Sequence, residues 1–219
     1  MFQFFEYLID GGILMIPIGL CSILSLAITF DRFWNLRETK VFPPNFLNEV
    51  KSLLNQKKIS EALELCQKTW QPVSRILEAG ILKYQRTREE IKEAIENAGK
   101  QEVVFLERYL GVLATIASIS PLLGLLGTVT GMIEVFQVIS VQGVGDPNVL
   151  AGGISEALIT TAAGLLVAIP TLVFHNYFQK QSNRFLLAME KSSLDVVEIL
   201  SETRFEGMDS RDIDTWEIR

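Results

Sequence analysis

The chain has 219 residues, of which 48% are hydrophobic and 21% charged, and its mean hydropathy is +0.28. A net charge of −6 is mild and says nothing about nucleic acid, while a lone histidine, His175, excludes a histidine cluster within one chain. Cys21 and Cys66 lie in unlike surroundings and give neither a disulfide framework nor metal-ligand spacing, so no metal, cofactor or enzymatic nucleophile–base set is expected.

Taken in order, the chain opens with MFQFFEYLID, which carries no Lys or Arg. An apolar run over 11–30 follows. It is too long for a signal-peptide core and reads as a retained transmembrane helix. A charged segment, 31–110, separates it from two further apolar stretches, 111–139 and 151–178, each longer than the ~20 residues a bilayer requires. All 20 Lys and Arg fall in two places, 14 from Arg32 to Arg108 and six from Lys180 onward. The positive-inside rule then places residues 1–10 and the loop 140–150 on the outer side, which is the periplasm for a bacterial inner-membrane protein, and 31–110 and 179–219 in the cytoplasm. The expected class is all-α: a polytopic membrane protein with three transmembrane helices, two of them extended into a cytoplasmic helical domain.

Within 31–110, Phe42-Pro43-Pro44 breaks the chain after the first span. Phe46, Leu47, Val50, Leu53 and Leu54 repeat at helical spacing. Ser60 is read as the cap of a helix through Glu61 to Lys68, and Pro72 as the start of one ending near Tyr84. Thr87-Arg88-Glu89-Glu90 has the form of a capping box. From Ile91 the apolar pattern continues through Ile95 and Leu106 toward the second span, which predicts one helix from about 88 to about 140. The third span is expected to run inward through Phe185, Leu186, Met189, Leu194, Val197 and Leu200, with a loose tail after Glu206.

The polar groups inside the apolar stretches are the informative ones. Between Arg108 and Lys180 the only formal charges are Glu134, Asp146 and Glu156. Asp146 belongs to the turn GVGDPN and reads as a solvated loop carboxylate. Glu156 lies at the start of the third span. A carboxylate in lipid costs several kcal/mol, so it faces a bundle interior or a watery path; otherwise it is a helix-start acid in the headgroup zone. Thr160 and Thr161 follow it closely enough to hold water or an ion beside it. Glu134 fits a pore role or a water-exposed outer edge equally. Thr128 either lines a path or bonds back to its own helix. His175 reads as an interfacial ring or a proton relay. Gly124, Gly127 and Gly131, with Gly164 and neighbouring alanines, let helices approach closely. Three spans do not enclose a polar path, so a homo-oligomer lined by spans two and three is inferred. Nothing matches a phosphate-binding loop, because Gly124-x-x-Gly127-Thr128 lacks the lysine.

PLLGLLGTVTGMIEVF followed by LAGGISEALITTAAGLLVAIPTLVFHNYF resembles the ExbB/TolQ branch of the MotA/TolQ/ExbB proton-channel family. The similarity is specific over about 105–185, and the order of three spans agrees over the rest. The resemblance implies a pentameric ring in the bacterial inner membrane, around helices of a small ExbD/TolR-type single-span partner whose membrane aspartate takes up protons. A TonB/TolA-type effector then passes force to the outer membrane. The other partners are membrane lipid, without nucleic acid or cofactor. Thr128 in GTVTG, Glu156 in ISEAL and Thr161 in ITTAAG match the family's pore-lining polar positions. The position of Glu134 is not acidic in the best-known members, so no role is carried over to it. Beside the ExbB-like reading stand a TolQ-like role in envelope integrity, a gliding or secretion stator, and, from another class, a structural membrane scaffold without ion flux.

Overall fold

A computed structural model of the chain describes residues 12–43, 45–143 and 147–207. Pro44, Asp146, the N-terminal ten residues and the tail beyond Gly207 lie outside the described residues. The described residues form helices joined by short turns: α1 (Met15–Asn35), α2 (Glu38–Val41), α3 (Phe46–Asn55), α4 (Ile59–Lys68), α5 (Pro72–Ile81), α6 (Arg88–Leu106), α7 (Leu110–Gln142) and α8 (Pro147–Gly207). Three of them, α1, α7 and α8, are long and apolar enough to cross a membrane. The fold is all-α, with three membrane-spanning helices, two of which continue into a helical domain.

The two continuations differ. The 61-residue α8 runs unbroken through its apolar part and beyond it. The helix predicted from 88 to 140 is instead two helices. The first ends at Leu106, and Tyr109, at φ 66, adopts the left-handed conformation before α7 begins. That conformation costs a non-glycine residue about 1–2 kcal/mol. Here the Arg32 guanidinium sits 5.6 Å over the Tyr109 ring and holds it. The periodicity runs on across the break, and no Gly or Pro marks it.

The described chain divides into two compact units. The first comprises the residues up to Phe33 with Tyr109–Gln179. In it α1 buries Met15, Ile18, Ser25, Ile28, Thr29 and Arg32 along one face. Ser25 meets Thr171 of α8 at 2.6 Å. Because the Thr171 hydroxyl donates to its own Val167 carbonyl at 2.7 Å, Ser25 is the donor between the helices. His175 Nδ1 donates to the Leu110 carbonyl at 3.1 Å, so this ring joins α8 to the start of α7. Large apolar side chains stay exposed on all three helices, among them Ile23, Phe30, Leu122, Phe136, Leu158 and Ile169. A water-soluble surface does not carry apolar faces on this scale; lipid and neighbouring helices accept them.

The second unit comprises Trp34–Arg108 and the residues from Lys180 on. Val50, Leu54, Ala62, Leu77, Ile91 and Met189 form its core. The apolar spacing of α3 is met by burial of Phe46, Val50 and Leu54. Lys51 of α3 pairs with Asp195 of α8 at 2.5 Å. Gly80 lets α6 close on α5, since a Cβ there would lie 2.6 Å from Ile95 Cδ1. The capping box at Thr87 forms as predicted: Thr87 N donates to Glu90 Oε2 at 3.0 Å and Glu90 N donates to Thr87 Oγ1 at 3.3 Å. Ser60 is not a cap. The helix starts one residue earlier, at Ile59, with Lys58 at the cap position. The helix from Pro72 stops at Ile81 rather than near Tyr84. Of the apolar residues along the end of α8, Phe185, Met189, Val197 and Leu200 are buried, whereas Leu194 is half exposed.

Candidate functional site

The site is set by how closely α7 and α8 approach. Gly124 of α7 and Gly164 of α8 meet main chain to main chain. A Cβ on Gly164 would lie 2.5 Å from the Ser120 carbonyl oxygen and 3.2 Å from Gly124 Cα. One on Gly124 would lie 3.0 Å from Thr161 Cα. Gly127 faces the Thr160 side chain, which a Cβ there would overlap, and Gly131 faces Ala157, 2.9 Å from where its Cβ would stand. The four glycines thus lie along a single contact, with Thr160 and Thr161 pressed against it. Each is needed because backbone or a β-carbon, rather than a flexible chain end, occupies the space.

Above this contact a cavity of about 230 Å³ opens, with Gly12, Thr130, Glu134, Glu156 and Thr160 in its wall. Glu134 comes from α7, Glu156 from α8 and Gly12 from the residues leading into α1, so the cavity is bounded by all three spans. Gly12 holds φ +69, and a Cβ on it would collide with Glu156 Oε1. The carboxylate therefore lies directly over this glycine. Among the described residues no Lys or Arg lies in the cavity wall.

The threonines divide by their hydrogen bonds. Thr161 Oγ1 donates across the helix pair to the Gly124 carbonyl at 2.8 Å. Thr160 Oγ1 donates to the Glu156 carbonyl in its own helix at 2.9 Å. Thr128 Oγ1 donates to its own Leu125 carbonyl at 2.7 Å, and Thr130 to those of Leu126 and Gly127. Each hydroxyl keeps oxygen lone pairs for a further donor, such as water. Glu134, Glu156 and Thr160 share the cavity, while Thr128 and Thr161 are outside its wall. Sequence reasoning passed over Gly12 and Thr130. Thr130 was within reach as the second threonine of the TVT triplet, whereas only tertiary contact reveals Gly12.

Outside the spans, one acid stands out. Glu102 is buried on α6, where its Oε1 accepts from Arg75 Nε at 3.0 Å while Oε2 has no partner among the described residues. Burial pushes its carboxyl above the ordinary range, and Arg75 opposes that. Among the described residues no group of three His, Cys, Asp or Glu could hold a metal ion.

Residues 68–191 match the sequence profile of the MotA/TolQ/ExbB proton channel family. The ExbB-like 3 biopolymer transport protein of Synechocystis sp. is 33% identical over 185 residues, covering 83% of this chain and 88% of its own. The Tol-Pal system protein TolQ of Haemophilus influenzae is 40% identical over 90 residues, 41% of this chain and 40% of its own. Among solved structures, that of C. jejuni MotAB matches with a TM-score of 0.59 at 16% identity, over 94% of this chain and 81% of that one, which is a likeness of fold.

Proposed function

Because the chain belongs to the MotA/TolQ/ExbB proton channel family, we propose that it is the ring-forming subunit of a proton-driven motor in the bacterial inner membrane. It assembles as a homopentamer around an ExbD/TolR-type single-span partner. Together they couple the proton motive force to a TonB-type effector for energised outer-membrane transport. The N-terminus is periplasmic and the C-terminus cytoplasmic. Thr128, Glu156 and Thr161 carry the ion pathway, with Glu134 and Thr160 beside it.

The observation that carries this reading is the cavity shared by Glu134 and Glu156, in a membrane unit with no Lys or Arg between Arg108 and Lys180. Carboxylates placed so in a spanning bundle mark proton and ion routes. The energy scale fits: one charge crossing 100 mV supplies about 2.3 kcal/mol, so several protons per cycle drive a conformational step. The partner helices inside the ring form the bistable element that such charge changes bias.

The test is proton uptake by vesicles holding the chain with its single-span partner, under an imposed potential. Glu156→Ala is expected to abolish uptake while native mass spectrometry still finds the ring. Full uptake by an assembled Glu156→Ala ring would refute the assignment. The match to TolQ over 90 residues supports a second, TolQ-like reading, in envelope integrity. The periplasmic protein that copurifies, TonB-type or TolA-type, chooses between them.

A further inference from the structure

The last turn of α1 carries a feature that an ion pathway does not use. Trp34, the penultimate residue of α1, is 62% exposed. The Arg37 guanidinium lies 4.7 Å from the centroid of its ring, and Lys40 Nζ lies 5.8 Å from the same ring. One indole therefore gathers two cations. The turn that presents them is fixed from within, because Leu36 and Val41 on either side are buried.

Nearby acids do not neutralise these cations. Asp31 pairs with Arg32 at 2.7 Å, and Glu38 is engaged by Arg184 at 3.1 Å. Among the described residues no carboxylate lies within ion-pair distance of Arg37 or Lys40. What remains is a doubly positive, aromatic-backed surface with no counter-charge among the described residues.

Its place in the chain says what complements it. Along α1, Ile16, Ile23 and Phe30 lie on one exposed stripe, Phe30 at 73%, and Trp34 continues that stripe one turn further. Trp34 stands ~6 Å beyond Phe30 along the helix axis. Arg37 and Lys40 follow. Apolar side chains, then an amphipathic ring, then cations is the order in which a lipid presents acyl chain, glycerol region and phosphate. A guanidinium offers two parallel donors to phosphate oxygens, and an ammonium adds a compact charge. Holding both over one ring lowers the ordering cost when a headgroup arrives.

We propose that Trp34, Arg37 and Lys40 form a binding site for the headgroup phosphate of an anionic phospholipid at the end of the first span. The site anchors that end of α1 at the membrane surface and shares no residue with the wall of the carboxylate cavity.

The experiment titrates the detergent-solubilised full chain with dioleoyl phosphatidylglycerol or dioleoyl phosphatidylcholine and reads bound lipid by native mass spectrometry. The acyl chains are identical, so only the headgroup differs. The wild-type chain binds the first phosphatidylglycerol roughly thirtyfold more tightly than phosphatidylcholine, as two basic residues at about 1 kcal/mol each near a surface imply. Arg37→Gln/Lys40→Gln loses that preference, while Lys83→Gln/Lys100→Gln, which removes the same charge elsewhere, keeps it. Equal binding of the two lipids by the wild type would overturn the proposal, as would a preference surviving in Arg37→Gln/Lys40→Gln. Displacement by equimolar inorganic phosphate would make this a free-anion site instead. A change of oligomeric state in the variant, read in the same spectra, would make it a contact between copies.

Discussion

Replacing Gly164 by alanine tests the helix contact on which the site rests. The new Cβ would stand 2.5 Å from the Ser120 carbonyl oxygen and 3.2 Å from Gly124 Cα. Non-bonded heavy atoms settle at about 3.5 Å or more. Both obstacles are main chain inside helices, so no side chain can swing aside. The helices must part locally by ~1 Å. The Thr161 hydroxyl then no longer reaches the Gly124 carbonyl, now at 2.8 Å, because a hydrogen bond is lost beyond about 3.5 Å. Overpacking costs about 1–3 kcal/mol, and the lost bond about 1 kcal/mol more. At ~2–4 °C per kcal/mol for a chain of this size, the melting temperature falls by roughly 4–16 °C. The assay is thermal denaturation in mild detergent, followed by the fraction retained in the folded gel-filtration peak. Gly19→Ala is the control. That glycine lies in α1 with nothing within 4 Å of a new Cβ, and alanine there gains about 0.5–1 kcal/mol of helix propensity. If Gly164→Ala melts with Gly19→Ala, at or above the wild type, the close crossing is wrong.

Three further outcomes concern the helical domain. Thr87→Ala removes the side chain that accepts from Glu90 N and should destabilise the domain by about 1 kcal/mol, read as a lower denaturant midpoint. Glu90, its carboxyl held below the ordinary 4.5 chiefly by the bond from the Thr87 backbone, contributes stability that is present above pH 4.5 and lost as pH falls through its lowered value. In Thr87→Ala that acid-side slope should persist, since the backbone N–H remains; its disappearance would move the cause to the hydroxyl. Glu102 has the opposite sign. Its raised carboxyl contributes stability that is full below the ordinary 4.5 and fades as pH rises through the raised value. Glu102→Gln should therefore flatten the decline of melting temperature as pH rises above 4.5, and an unchanged decline would exclude Glu102 as its source. Cys66 is buried, and desolvation pushes its thiol up to about 12 from 9.0, about a thousandfold less thiolate at neutral pH. Mass spectrometry after N-ethylmaleimide should find Cys66 unmodified until the domain unfolds, and rapid labelling of folded protein would contradict its burial.

The spans were legible because lipid imposes a strict rule: about 20 apolar residues without charge. The capping box at Thr87 was legible because its two hydrogen bonds are local, set by residues three apart. The break at Tyr109 was not. Its backbone conformation is held by Arg32, far away in sequence, and the local pattern of Leu106, Leu110 and Leu113 passes through it undisturbed. Ser60 misled for a related reason. A serine ahead of an apolar run looks like a cap, yet the preceding Ile59 already takes helical geometry.

The sequence by itself determined that this chain is helical, that three segments cross a membrane, and that carboxylates stand where lipid discourages them. Composition, period and charge placement act within a segment, and those choices need no partner. Only the tertiary structure decided that Glu134 joins Glu156 in one cavity while Thr128 turns to its own backbone, and that Gly12 leaves room for the Glu156 carboxylate. Those relations depend on how α7 and α8 rotate about their glycine contact. That rotation is fixed by side chains from distant parts of the chain meeting in space, which no local pattern records.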